Sequence, residues 1–483
     1  MAQQYDTFYD LQKKPSATTV PARDIDLTLA IARAVAEAGG RALIVGGFVR
    51  DLVMSQQLNR SFTAKDIDIE VFGIPFDSLS ELLRQIHPVN IVGASFGVFK
   101  LGTIDVSLPR RDSKTGRGHK GFHIQSDPGM SFADAGRRRD FTVNALGFDP
   151  LTGEVLDEHG GIDDIKKKRL RAVDPALFGD DPLRVLRAMQ FAGRFGFSID
   201  TVTVEIAQRL DLHELSKERI GEEWNKLLLK AERPSIGLQA ARELGVLSKL
   251  HPELQALIGT KQEHEWHPEG DVWNHTLMAV DRAAEIVRRE GLEHEQALTV
   301  LYGALCHDFG KPTTTSTHPE TKRIISHEHA QQGVQPTRQF LEGLALPHRL
   351  INKVGNLVSD HMFVVQAGQA KETAIRRLAR RLAPATIQEL LWVVEADFYG
   401  RTLAEFDFTI GHILLQKADQ WGVLHGPLKP VVLGRDLIAL GEQPGHKLGA
   451  ILEQLSAAQN SGRFNTREEG IEFYKQFIKQ QHD

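Results

Sequence analysis

The sequence predicts an α+β protein, a small head of mixed strands and helices joined to a long all-α body. Three observations predict it. At 483 residues the chain is too long for one core. Between residues 25 and 150, short β-branched runs alternate with amphipathic helical segments. From about residue 175 onward, almost every segment carries the apolar spacing of a helix.

Taken in order, residues 1–24 read as a loose arm. "DIDLTLAIARAVAEAGG" is an amphipathic helix opened by Asp and closed by Gly39 and Gly40. "RALIVGG" is a buried strand ending on two glycines, and "FVRDLVMSQQ" starts a helix from that turn. The strand "DIDIEVF", a helix around Asp77 to Ile86, and strands within "NIVGASFGVFKLG" and "TIDVSLPR" complete the head. "DPLRVLRAMQFAGRF", "TVEIAQRLDLHEL" and "RIGEEWNKLLLKA" then open the helical body. No repeat of fixed period and no low-complexity stretch interrupts it.

Composition narrows the class. Hydrophobic residues make up 41% and charged residues 25%, which describes an ordinary globular chain. A single cysteine, Cys306, excludes an intrachain disulfide and a cysteine-built zinc site, and suits a reducing cytoplasm. The first 20 residues lack the apolar core of a signal peptide, and no uncharged apolar run reaches the ~18 residues of a membrane span. The net charge of −5 argues against general affinity for nucleic acid but leaves local basic clusters available.

The chemistry starts in "KDIDIEVFG". Residues i and i+2 of a strand face the same side, so Asp66 and Asp68 project together while Ile67 and Ile69 pack inward. "TIDVSLP" repeats the pattern with Asp105. If the two strands are neighbours, three carboxylates converge. Like charges so close repel unless a cation holds them, and an all-oxygen cage suits one or two Mg²⁺ ions that also bind substrate phosphates. Just upstream, Gly46 and Gly47 sit at a strand-to-helix turn, where a missing Cβ lets a triphosphate approach backbone N–H groups. Arg50, one turn in, is placed to reach a phosphate.

"VGGFVRD", "KDIDIEVFG", "LPRRDSKTGRGHKGF", "RRRDFTVNALGFDP" and "GDDPLRVLRAMQFAGRFGF", in that order, resemble the class II tRNA nucleotidyltransferases. These are CCA-adding enzymes and related poly(A) polymerases with a polymerase β-like head. The resemblance implies that Asp66 and Asp68 are catalytic metal ligands, with Asp105 the third carboxylate. It places Arg139, Asp140 and Asn144 at the ribose and triphosphate of ATP or CTP. Asp181 and Arg184, with Arg187 on the same helix, would read the incoming base. Asp180 stands where the family usually has Glu. The segment with Arg110, Arg111, Lys114, Arg117 and Lys120 is read as an unstructured functional loop. The family's loop here lets an enzyme pass from C addition to A addition.

A second constellation lies in the body. His275, His307 with Asp308, His329, His361 and Asp397 offer imidazole and carboxylate ligands, a set suited to Mn²⁺, Fe²⁺, Ni²⁺ or Zn²⁺. The pattern resembles HD-domain phosphohydrolases. That likeness makes His275, His307, Asp308 and Asp397 the ligands, with His329 and His361 added for a second metal. It implies hydrolysis of 2′,3′-cyclic or terminal phosphates during tRNA end repair. His264, His267 and His327 read as ordinary surface histidines, and Trp266 and Trp273 as helix-packing anchors.

The expected division is an arm at 1–24, a nucleotidyltransferase head at 25–150 and a neck at 151–255. An HD domain at 256–400 and a helical region at 401–483 follow. The partner is tRNA, contacted through Lys166, Lys167 and Lys168 and through a ridge of Arg376, Arg377, Arg380 and Arg381 stacked at i, i+4. The HD part is a candidate surface for a homodimer. Three alternatives stay open at this point. The chain could add A alone, polymerise A, or modify a protein under the control of a regulatory HD domain.

Overall fold

The computed structural model describes residues 18–19, 21–58, 62–63, 66–92, 97–114, 122–402 and 407–478. The chain forms two compact units. The first holds residues 1–216 and 239–246, the second 217–238 and 247–483.

The first unit is built on a seven-stranded mixed sheet. Its order runs Val155–Leu156, Gly147–Phe148, Arg41–Val45, Ile67–Phe72, Ile104–Ser107, Val98–Leu101, Asn90–Val92. Every pairing is antiparallel except that of Ile67–Phe72 with Ile104–Ser107, which is parallel. That one pairing carries the chemistry, because its register sets Asp68 directly beside Asp105. The inward faces of these strands, Ile67, Ile69, Val71, Ile104 and Val106, are all buried. Each such side chain contributes roughly 1.5–3 kcal/mol relative to exposure, so the two acidic faces are held in register by the core beneath them.

The sheet runs past residue 150, where the sequence reading closes the head. Val155–Leu156 forms its edge strand. The basic segment read as an unstructured loop is a two-stranded antiparallel ribbon, Arg110–Lys114 against Phe122–Ser126. Residues 115–121, including Arg117 and Lys120, lie outside the described residues. The helix Leu183–Phe195 begins just after Asp181, whose Oδ1 accepts from Leu183 N–H at 3.1 Å and caps the first turn. It ends on Gly196 in the left-handed conformation.

The second unit is helical. At its centre, helix His294–Cys306 is buried continuously from Ala297 to Cys306. Helices Val272–Glu290, His348–Asp360 and Ile387–Tyr399 pack around it. Asp271 caps the first of these, and a reciprocal Thr386–Glu389 capping box starts the last. Cys306 is fully enclosed, as its apolar helix predicts, and Trp273 is a core residue. Residues beyond 430 form a small core of their own, with Val432, Leu437, Ile451, Leu455 and Tyr474 at its centre. No described helix is long and apolar enough to cross a membrane.

Candidate active sites

In the head, Asp66 and Asp68 stand exposed on the strand face, with Asp105 half-buried beside them. Loss of hydration against the sheet, then the charges of Asp105 and Asp66, push the Asp68 carboxyl up. The cluster thus lacks positive charge. Lys100, opposite Asp105 on the neighbouring strand, supplies some of it at 2.9 Å. Three oxygen ligands with an uncompensated carboxylate fit a hard divalent cation.

Gly46 has φ +75°, and a Cβ there would lie 3.6 Å from both Asp68 Oδ2 and Arg139 Nη1. Its bare backbone therefore keeps open the gap between carboxylate and guanidinium. The helix Gly47–Leu58 starts at that turn and presents its N-terminal amides there. Arg139 donates to Glu70 Oε2 at 3.0 Å and to the Asn144 carbonyl at 3.2 Å. Arg138 donates to the other Glu70 oxygen. Glu70, 1% exposed, anchors both forks and escapes the sequence reading. Its signal was nonetheless present, since Glu70 is the third acid at i+2 spacing in "DIDIE".

Arg50 is the first correction. Its guanidinium is buried, donates to Asn144 Oδ1 and Asp51 at 2.7 Å each, and lies 4.6 Å over the Phe195 ring. It braces the helix Leu183–Phe195 rather than reaching for a phosphate. The relay continues. Asn144 donates to Asp140 Oδ1 at 2.9 Å, and Arg187 donates to Asp140 Oδ2 at 2.6 Å. Burial pushes the Asp140 carboxyl up, but Arg187 and Asn144 outweigh it and hold the group below the usual range. Arg184 donates to the carbonyls of Leu177 and Arg138, which ties the start of this helix to the arginine segment.

The two basic runs differ in their surroundings. Lys166, Lys167 and Lys168 are exposed, while Arg169 and Arg171 both grip the fully buried Asp164. Arg376 is mostly buried, paired with Glu372 and donating to Asn465 Oδ1 at 2.9 Å. Arg380 faces Glu453 at 3.5 Å, and Arg381 holds Asp360 at 2.6 Å. Only Arg377 of the four is exposed without a pairing of this kind described for it. Three guanidiniums of the i, i+4 ridge thus face acids, Glu372 on the same helix and Glu453 and Asp360 from other segments.

In the second unit the predicted ligands converge. His275 comes from the first turn of its helix, and His307 and Asp308 from the end of the buried central helix. His329 opens a short helix, His361 follows helix His348–Asp360, and Asp397 sits in the last turn of Ile387–Tyr399. Gly310 makes this assembly possible. A Cβ there would lie 2.0 Å from the His329 carbonyl, so only glycine lets the two turns meet.

The ligand atoms form two triads, His275, His307 and Asp397, then Asp308, His329 and His361. His307, His329 and His361 each donate Nδ1–H to a backbone carbonyl, of Ala304, Ser326 and Val358, at 2.7–2.8 Å. Carbonyls only accept, so in the neutral ring of each of these three histidines Nε2 is the unprotonated nitrogen. His275 gives its Nδ1–H to Glu269 Oε1 at 3.0 Å. Yet Nε2 of His329 faces Nε2 of His361 at 3.2 Å, and Nε2 of His275 faces that of His307 at 3.3 Å. Lone pairs opposed at that distance repel unless a cation lies between them. The donor set fits a borderline transition metal at each triad.

Burial, with His307 and His329 beside it, pushes His361 down to about 4. Burial acts the same way on His307, but Asp308 and Asp397 overcome it and raise that imidazole. His267, read as a surface residue, is largely buried and also donates to Glu269 Oε1, at 2.9 Å. His264 and His327 are exposed, as expected. Over the triads lies a cavity of about 560 Å³, into which Lys311 and Arg401 bring positive charge. Trp266 stands on its wall, 47% exposed, and anchors no helix. The sequence reading also missed Glu269, Lys311 and Arg401. Lys311 lay one turn beyond the His-Asp pair in "HDFGK" and was the most visible of the three.

The geometry defines a class, a nucleotidyltransferase head joined to an HD-type metal site. Comparison with known proteins agrees. The Poly A polymerase head domain matches residues 42–171, and the "Probable RNA and SrmB- binding site of polymerase A" matches 196–258. The HD domain matches 272–397. A multifunctional CCA protein of Pasteurella multocida (strain Pm70) is 36% identical over 375 residues, 74% of this chain and 84% of that protein. Its counterpart in Stenotrophomonas maltophilia (strain K279a) is 34% identical over 372 residues, covering 74% and 86%. The chain belongs to the multifunctional CCA protein family. Solved structures share the fold. A CCA-adding enzyme with CTP has TM-score 0.59 at 18% identity, covering 98% of this chain and 99% of that one. A Thermotoga maritima CCA-adding enzyme complexed with tRNA has TM-score 0.58 at 18% identity, covering 97% and 98%.

Proposed function

We propose that this chain restores the 3′ end of tRNA. The head adds CCA from CTP and ATP without a nucleic-acid template, and the HD site hydrolyses 2′,3′-cyclic or terminal phosphates on such ends. The observation that carries the reading is the parallel register setting Asp68 beside Asp105, next to the open Gly46 turn.

In this reading Asp66, Asp68 and Asp105 would hold Mg²⁺, whose chemistry there would be to acidify the attacking 3′-hydroxyl and stabilise the leaving pyrophosphate. The Gly46–Gly47 turn and Arg139 receive the triphosphate. Asp181 and Arg184 present hydrogen-bonding groups to the base edge, so the protein replaces a template. Arg50, Asn144, Asp140 and Arg187 act through position, since their mutual bonds fix the helix from which the base is read. Lys166, Lys167 and Lys168 contact the tRNA backbone, with recognition by shape rather than sequence.

In the HD site, His275, His307 and Asp397 hold one metal, and Asp308, His329 and His361 the other. Mn²⁺, Fe²⁺, Ni²⁺ or Zn²⁺ there would activate a water and polarise the phosphate ester. Lys311 and Arg401 orient the phosphate. The setting is the cytoplasm, where uncapped tRNA ends are met.

The test is addition to tRNA transcripts lacking three, one or none of the CCA nucleotides, supplied with CTP, ATP or both. Growth of the shortest transcript by CCA alone is expected. Growth only where the last A is missing would make the chain an A-adding enzyme. A long A ladder would make it a poly(A) polymerase, and no growth would overturn the RNA substrate.

A further inference from the structure

The cavity over the HD triads is larger and less polar than phosphate chemistry alone requires. At about 560 Å³ it lies in the range of sites that enclose a whole small organic ligand. Part of the lining is ionic. Lys311 Nζ lies 2.7 Å from Asp308 Oδ2, and Arg401 Nη2 lies 3.3 Å from Asp397 Oδ1. Arg401 Nε is buried with no hydrogen bond among the described residues, a donor still to be satisfied. Other parts of the lining are apolar and open. Trp266, Met362 and Val365, which line this cavity, are 47%, 44% and 67% exposed. Large apolar side chains are seldom left so open together without a ligand to cover them.

A cavity lined both by cations and by an uncovered indole matches a phosphate attached to a flat aromatic group. We infer that Trp266 is a specificity residue of the HD site, stacking on the nucleobase of the RNA nucleotide whose 2′,3′-cyclic or 2′-phosphate lies against Lys311 and Arg401. The inference rests on the hydrolase reading above and adds the residue that holds the base. Met362 and Val365 complete the apolar wall. Base–aromatic stacking contributes about 1–3 kcal/mol, which corresponds to roughly a 5- to 150-fold preference. It tolerates any base, as suits RNA ends of varied sequence.

The experiment compares two cyclic esters with the same reacting ring. One is 2′,3′-cyclic AMP, and the other is ethylene phosphate, which has neither sugar nor base. The quantity read is the ratio of their kcat/KM values in the presence of Mn²⁺ or Ni²⁺. Trp266→Ala lowers that ratio at least about 5-fold, mainly through KM for the nucleotide, and Trp266→Phe restores most of it. Trp266→Leu keeps the apolar cover without the ring and stays low. A ratio that moves less than about twofold in Trp266→Ala, or recovers equally with Leu, overturns the role. If the wild-type protein cleaves neither ester, the hydrolase reading itself fails. Calorimetric titration with adenosine 2′-phosphate then decides Trp266 directly. Loss of one binding event in Trp266→Ala supports it, and an unchanged isotherm overturns it.

Discussion

In the head, three carboxylates stand on an open strand face, with a lysine for company and solvent on one side. In the second unit, four imidazoles and two carboxylates are enclosed at helix ends, and three of the rings are locked by backbone carbonyls. Both arrangements demand cations, but at different stages. On the function proposed above, the open oxygen site would be completed only when a nucleotide arrives with its phosphates and Mg²⁺, an ion that keeps much of its own water. The enclosed site has its ring orientations set by backbone carbonyls, so a metal proposed there would belong to the folded unit itself. Exposure therefore separates an ion that comes with substrate from one that stays with the protein.

The strongest way to break this comparison is to remove each set of ligands. Asp66→Ala with Asp68→Ala should abolish addition, a loss above ~10³-fold or about 4 kcal/mol of barrier, while hydrolysis persists. His307→Ala with Asp308→Ala should do the converse. A folded double variant that loses both activities shows that the sites are not independent.

Chelation sharpens the same contrast. After EDTA and gel filtration, addition should return at once with Mg²⁺ alone, whereas hydrolysis should need Mn²⁺, Ni²⁺, Fe²⁺ or Zn²⁺. Elemental analysis before chelation should find transition metal retained through dialysis. Because metal binds only the folded site, its removal should also lower the thermal midpoint of the second unit. Full hydrolysis with Mg²⁺ after chelation would erase the distinction.

How much of this was legible follows from what determines each feature. The acidic strand was legible because alternation obeys a period of two, which puts Asp66 and Asp68 on one face by that rule alone, while Asp105 joins them only through the pairing of the two strands. The HD ligands were legible because an adjacent His-Asp at a helix end is a local pattern, with the other histidines at similar ends. Arg50 and Arg376 were misread for a different reason. Helical spacing shows which residues share a face but not what covers that face. Phe195 lies 145 residues after Arg50, and Asn465 89 after Arg376. Glu269 escaped notice because a buried carboxylate serving two histidines has no spacing signature.

A smaller effect tests that hidden support. Glu269→Gln offers a weaker acceptor to His275 and His267, so metal affinity or hydrolysis should fall about 10- to 100-fold while addition is kept. In the head, Glu70→Gln releases the grip on Arg138 and Arg139 and should raise KM for nucleotide without touching hydrolysis. Nucleotide titrations and hydrolysis assays on both variants check the pair. Equal effects on both reactions would indicate general destabilisation instead.

The smallest expected effect is on stability against acid, and it too divides the units. His251 is 3% exposed and accepts from the Trp224 indole N–H at 3.0 Å. Burial pushes its pKa down to about 3, far below the ~6.5 of an unfolded histidine. Between those values the unfolded chain binds a proton that the folded unit refuses. Stability is therefore full above about pH 6.5 and falls with acid by up to ~1.4 kcal/mol per pH unit, down to about pH 3. In the head, Asp140 has the opposite chemistry, with a folded carboxyl held below its unfolded value. Its contribution is present above the ordinary carboxylate range and is lost only in stronger acid. The second unit should thus weaken first. All five tryptophans, at 224, 266, 273, 392 and 421, lie in that unit, so their fluorescence reports it alone. His251→Gln keeps an acceptor for the indole while removing the titrating ring. Its thermal midpoint by tryptophan fluorescence should drop less than the wild-type midpoint between pH 7 and pH 5. Parallel curves for the two proteins would remove His251 from the account and leave the metal ligands as the source of acid loss.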